Sequence, residues 1–198
     1  MNITVFASHG GSDLQAIIDG CKSGVIGAKV TAVISNNSDS MALERATKEG
    51  IDNYHISQKK IPDANELDKN IMNILNSHQT DIIFLAGYMK KLGSSILEKY
   101  ENRIFNIHPA LLPKYGGRGM YGMNVHKAVI EAKEDVSGVT VHRVNEDYDS
   151  GDIVAQTKVK VFENDTAETL AARVLEREHT FLIEVIIDII GDKIKLGV

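Results

Sequence analysis

At 198 residues the chain is long enough for one domain with a sizeable core. Apolar residues make up 43% and charged residues 25%, and no apolar run approaches the roughly 20 residues of a membrane span, which argues against membrane insertion. The net charge of −5 argues against a general nucleic-acid binder, and no stretch joins clustered Lys or Arg to interleaved aromatics, so a phosphate ligand has to be held locally.

Cys21 is the only cysteine, so no internal disulfide forms and no zinc site rests on paired thiolates. The seven histidines lack a His-x-x-x-His or similar spacing, and no metal is expected. Met1 to Phe6 reads directly into a strand, with no basic segment followed by an apolar stretch and a cleavage site, so a cytoplasmic location is expected.

The first strand, Ile3 to Ala7, is rich in β-branched residues. Ser8 to Gln15 follows it and opens a helix whose Leu14, Ile17, Ile18 and Cys21 repeat at three and four. Cys21 on that stripe reads as packing rather than as a nucleophile. Val30 to Ile34 reads as a strand, Leu67, Ile71, Ile74 and Leu75 as a second helical stripe, and Ile82 to Ala86 as a strand covered on both faces. Strands alternating with amphipathic helices imply crossover connections. The expected class is therefore α/β, a Rossmann-like open, mostly parallel twisted sheet with helices on both faces. Such sheets bind ligands beyond the carboxyl ends of their strands, where Gly10-Gly11, Gly87 and His108 fall.

After a loop from Lys114 to Gly122, a helix with Val125, Ala128, Val129 and Ala132 on one side precedes strands near Gly138 to Val144 and Ile153 to Val161. A long helix closes the chain, capped by Asp165 or Thr166, with Glu168 complementing its amino-terminal dipole. Its apolar stripe runs through Ala171, Val174, Leu175, Leu182, Val185, Ile186 and Ile189, and Glu178 stands at the centre of it. A carboxylate there needs a cation, a donor or a ligand. No repeat, low-complexity tract or linker divides the chain, and one domain over residues 1–198 is expected.

Asn106-Ile107-His108-Pro109 sets an amide donor and a titratable imidazole two residues apart, on one face of a strand that runs out into a loop. That pair suits catalysis at a carbonyl, since the amide donates to a developing oxyanion and the imidazole exchanges protons near neutral pH. Ordinary hydrogen-bonded loop residues are the plainer reading. In Ser8 to Gln15, two glycines allow close backbone approach and the first helical turn offers free N–H groups to a phosphate. The same segment also reads as a capping box of Ser12 and Gln15 that needs no ligand. The acidic turn Asn145 to Asp152 lacks the spacing of a calcium loop. It is either a solvated turn or the source of an Asp that reaches His108, holds its ring and raises its pKa.

Four separated segments resemble the phosphoribosylglycinamide formyltransferase family: Ser8 to Ile18, Leu85 to Met89, Asn106 to Pro113 and Gly138 to Gly151. Their order and spacing agree along essentially the full length. The resemblance implies transfer of a formyl group from 10-formyltetrahydrofolate, as co-substrate, to the primary amine of phosphoribosylglycinamide. It implies a catalytic trio of Asn106, His108 and Asp149, with Asp149 keeping His108 charged and with His108, Asp149 or an ordered water carrying protons. Gly11, Ser12 and Asp13 match the residues around the acceptor's phosphate, and Glu178 matches a residue near its ribose and glycinamide. Met89, Lys90, Lys91, Leu92, Asn106 and Val144 match the folate pocket, with backbone from Val144 to Asp149. Residues 1–105 would form a phosphate-binding half and residues 106–198 a folate and catalytic half. The partners implied are small-molecule substrates, with no nucleic acid and no membrane, on a monomer or weak homodimer.

Three positions depart from the family pattern. Asp13 stands where Asn is frequent, and a carboxylate beside a phosphate repels it unless turned away. Ala64 occupies a place where Arg or Lys helps to hold the folate, leaving Lys59 or Lys60 as substitutes. Gly116 to Gly122 is longer than in short members and reads as a lid. The nearest rival is a 10-formyltetrahydrofolate hydrolase (deformylase), which uses the same Asn, His and Asp but carries an extra amino-terminal domain. A transfer-RNA formyltransferase would need basic surface and a carboxyl-terminal domain, and a non-catalytic phosphate-ligand sensor would not need the trio.

Overall fold

The computed structural model describes residues 1–196. In chain order it runs β1 (Asn2–Phe6), α1 (Ser12–Lys22), β2 (Lys29–Ser35), α2 (Met41–Lys48), β3 (Asp52–His55), α3 (Ala64–Ser77), β4 (Ile82–Leu85), α4 (Ser94–Lys99), β5 (Ile104–His108), α5 (Met123–Glu131), β6 (Val136–Arg143), β7 (Ile153–Lys160) and α6 (Ala167–Ile190). The strands form one sheet in the order β3-β2-β1-β4-β5-β6-β7. The first five run parallel, while β6 lies antiparallel to β5 and β7 antiparallel to β6. The expected α/β class and mostly parallel sheet are what is observed.

Alternation along the strands sends side chains to two separate cores. Ile3 and Val5 of β1, Ile82 and Phe84 of β4, and Phe105 and Ile107 of β5 pack under α1 and α6. Phe6, Ile83, Leu85 and Ile104 face the opposite way, against Ile71, Leu75 and Ile96 of α3 and α4. A period of two along each strand therefore builds a three-layer sandwich, with both faces of the central strands dry. The apolar run of β4 is buried throughout for this reason.

Three elements escape the sequence pattern, namely α2, β3 and α4. Only Ala42 and Ala46 of α2 are buried, and β3 is an edge strand of polar and half-buried residues, so neither carries a strong apolar period. At α6, Thr166 is the cap, and it forms a capping box with Thr169. The box expected at Ser12 and Gln15 does not form. Gly11 is the N-cap of α1 at φ 67, and no side chain bonds the first turn. The Gln15 side chain instead joins Asp19, Glu49 and Arg45. Among the described residues, no helix is long and apolar enough to cross a membrane.

The chain leaves β1 toward β2 and β3 on one side and returns with β4 on the other. The crevice opens where the crossovers diverge, beyond the carboxyl ends of β1 and β4. There the Ser8 N–H donates to the Gly87 carbonyl at 3.1 Å, and the Met89 N–H donates to the Ser8 hydroxyl at 2.8 Å.

Candidate active site

A cavity of about 650 Å³ occupies that crevice, running from the start of α1 past the ends of β4 and β5 to the turn after β6. Asn106, His108, His142 and Asp149 line its centre, and Asp13 and Glu178 line one end. Asn106 and His108 sit on β5, with His142 paired directly opposite Asn106 on β6. Asp149 comes from the acidic turn, in a left-handed conformation at φ 53 that Asp tolerates better than most residues. The turn can fold this close because residue 151 is glycine. A Cβ there would overlap the carbonyl of Arg143.

The hydrogen bonds fix the orientation of these groups. The Nδ1 of His142 lies 2.7 Å from the Arg143 carbonyl, which only accepts, so Nδ1 carries the proton. In the neutral ring Nε2 is then an acceptor, and it takes an N–H from the Asn106 amide at 3.0 Å. The other Asn106 N–H points to Asp149 Oδ1 at 3.3 Å. A flipped amide would set its oxygen against that carboxylate, which excludes the opposite assignment. Asp149 Oδ2 accepts the N–H of Gly117 at 2.9 Å and stands 3.7 Å from His108 Nδ1.

His108 is buried, and its Nε2 donates to the Tyr115 carbonyl at 2.7 Å. Burial pushes the imidazole below its ordinary value and outweighs the opposing pull of Asp149 and of the Tyr115 carbonyl. Asp149 does pull His108 upward, as expected, but burial outweighs that pull and the net shift is downward. The carboxylate is beyond hydrogen-bonding distance, and the dry site favours the neutral ring. Asp149 itself is driven upward by burial but falls below its usual value on balance, because its anion is favoured by the two imidazoles it faces, His142 and His108, whenever either is protonated, and by the Gly117 N–H.

The match to known proteins accords with this geometry. A family model described as "Formyl transferase" matches residues 1–186. A chloroplastic phosphoribosylglycinamide formyltransferase of Arabidopsis thaliana is 40% identical over 98% of this chain and 66% of its own length. The phosphoribosylglycinamide formyltransferase of Escherichia coli (strain K12) is 37% identical over 90% of this chain and 82% of its own length. The crystal structure of the same-named protein from Bacillus halodurans superimposes with a TM-score of 0.89 at 32% identity, over 98% of this chain and 97% of that one.

The chain belongs to the phosphoribosylglycinamide formyltransferase family.

The residues that the sequence matched to a folate pocket lie together: Met89, Lys90, Lys91, Leu92, Asn106 and Val144 all line the cavity. Lys91 is tied to the acidic turn. Its Nζ donates to the Glu146 carbonyl, lies 3.7 Å from Asp147 and sits over the Tyr148 ring at 5.0 Å. Lys59 and Lys60, the suggested substitutes at the Ala64 departure, are not among the lining residues.

Of the residues that the sequence matched to an acceptor site, two reach the other end of the cavity. Asp13 and Glu178 line the cavity, while Gly11 and Ser12 form the turn immediately before Asp13 without lining it. Both carboxyls are buried. Burial pushes Asp13 up to about 6, and burial together with the charge of Asp13 raises Glu178 well above the ordinary range. His142 and the Tyr115 and Gly117 backbone were not singled out by the sequence. The available signal for His142 was an imidazole at an alternating position of a β-branched strand, but its partner across the sheet depends on register. Among the described residues, no cluster of His, Cys, Asp and Glu is arranged to hold a metal ion.

Proposed function

We propose that the chain transfers the formyl group of 10-formyltetrahydrofolate to the amine of 5′-phosphoribosylglycinamide, giving formylglycinamide ribonucleotide and tetrahydrofolate in purine synthesis. One observation carries this reading above the rest. The amide, imidazole and carboxylate of Asn106, His108 and Asp149 converge at the middle of a single cavity, with the folate-type wall at one end and the α1 start at the other. The 37% identity to the Escherichia coli phosphoribosylglycinamide formyltransferase over 82% of its length supports the same reading.

In the reaction the acceptor amine forms a C–N bond to the formyl carbon while the bond from that carbon to the folate nitrogen breaks. Negative charge gathers on the formyl oxygen in between. His108 and Asn106 donate to that oxygen once the Asn106 N–H that points to Asp149 at 3.3 Å turns to it. For this, the Nε2 proton of His108 has to leave the Tyr115 carbonyl, so the segment from Tyr115 to Gly122 moves as the substrates enter. Protonation of His108 at Nδ1 turns its 3.7 Å approach to Asp149 into an ion pair, which stabilises the charged ring when it is needed. The net proton shift is from the attacking amine to the departing nitrogen, and His108 and Asp149 lie beside that path.

Residues 1–105 contribute the acceptor end, where the first turn of α1 has amide groups free for a phosphoryl group. Residues 106–198 contribute the trio and Glu178. The test is competition for the formyl group among phosphoribosylglycinamide, water and an aminoacylated RNA. Formylated ribonucleotide as the dominant product is expected, whereas formate as the dominant product would make the chain a hydrolase.

A further inference from the structure

Asp13 and Glu178 are 9% and 7% exposed, and both line the acceptor end of the cavity, where α1 packs on α6. Asp13 Oδ1 has no hydrogen-bond partner. The charged and titratable groups around the pair do not neutralise it. On α6, His179 Nε2 stands 3.6 Å from Asp13 Oδ1, but burial and the nearby Arg45 push that ring toward its neutral form. From α2, Arg45 spends its guanidinium on the Gly10 carbonyl at 2.8 Å and Gln15 Oε1 at 3.2 Å. His9 from the turn before α1, Arg118 from the lid and His108 from β5 line the same cavity, and none of them lies within ion-pair distance of either carboxyl. With His179 the one titratable base within ion-pair distance, and that ring pushed toward neutral, ionising both carboxyls of one dry cavity is disfavoured and one retains its proton.

We propose that Asp13 and Glu178 hold one proton in common, so that Asp13 offers an O–H donor to the phosphoryl group of the acceptor. The inference rests on the acceptor assigned above. A bare carboxylate at residue 13 would face the phosphoryl group that the α1 amides attract, and like charges at such range repel strongly. The shared proton converts that repulsion into a donated hydrogen bond of the charge-assisted kind. Acceptor affinity then falls as pH rises and the proton is lost, while an amide at residue 13 would donate without titrating.

Infrared difference spectroscopy on the ligand-free protein tests the proton directly. The C=O stretch of a protonated carboxyl is expected near neutral pH in the wild type, absent from the Asp13→Asn, Glu178→Gln double variant. In each single variant its titration midpoint should move down by about one pH unit or more, because the neighbouring charge is gone. Unchanged midpoints in the single variants would mean that the two groups titrate independently and would overturn the proposal. Kinetically, the acceptor KM of the wild type divided by that of Asp13→Asn should rise about tenfold from pH 6 to pH 8, with the folate KM ratio flat. The second ionisation of the phosphate cancels in this ratio, and a ratio independent of pH would also refute the idea. If the wild type transfers no formyl group to the acceptor, the functional reading fails on its own and the infrared titration still decides the shared proton.

Discussion

The two ends of the cavity treat the same functional group in opposite ways. Asp149 is supplied with donors from Asn106 and the Gly117 backbone, faces two imidazoles, and is held below its usual value as an anion. Asp13 and Glu178 are equally removed from water but have no such donors, and both are held above it. Burial alone never fixes the charge of a carboxyl. The number of N–H groups aimed at it does. One cavity can therefore favour a carboxylate anion at Asp149 and a protonated carboxyl at its far end.

The largest change is expected where the anion is used. His108→Asn or Asp149→Asn should lower kcat by about 10²–10⁴-fold with folate affinity largely retained, measured by steady-state turnover and by equilibrium folate binding. Wild-type rates in both variants would remove the chemical distinction between the centre and the ends. Ser12→Pro comes next. It deletes one amide donor at the first helical position, where proline is otherwise tolerated, and should raise the acceptor KM about tenfold without moving the folate KM.

Stability gives a smaller effect with opposite signs at the two ends. Asp149 has a folded value below its unfolded one, so its stabilisation is present above the unfolded value and lost as pH falls through the folded one. Asp149→Asn should therefore lower the Tm at neutral pH. Asp13, raised to about 6 from 3.8, costs stability once pH exceeds that interval. Asp13→Asn should raise the Tm at pH 7.5 by about 2 °C or more, the difference closing toward pH 4. Thermal melts over that range check both, and two shifts of the same sign would refute the opposed charge states. The smallest effect belongs to Lys91→Ala, on the exposed wall proposed for the folate. Its ion pair with Asp147 is solvated, so the melt should change by less than about 1 kcal/mol and the folate KM by about twofold.

How much of this was legible beforehand varied with the range of the interaction. The two-residue spacing of Asn106 and His108 put both on one face of β5, as the local period requires. The position of Glu178 amid Val174, Leu182 and Val185 announced a buried carboxyl, which the structure places at the cavity wall. Ser12 and Gln15 misled, because a local capping pattern competes with what else the side chain can reach. Arg45 and Glu49, thirty residues away, took Gln15 instead.

Sequence by itself determined the alternation of strands and helices, the two-faced burial of β4, and the identity of the chemical groups that end near the carboxyl edge. Those follow from periodicities of two and 3.6, which are local properties of the chain. Tertiary structure alone decided that His142 would stand opposite Asn106, that the Tyr115 carbonyl would take the His108 proton, and that Asp13 and Glu178 would be buried along one cavity. These depend on the β5–β6 register and on the packing of α1 against α6. A side chain's charge is set by the solvent it loses and the dipoles it gains, and both are known only after distant segments have come together.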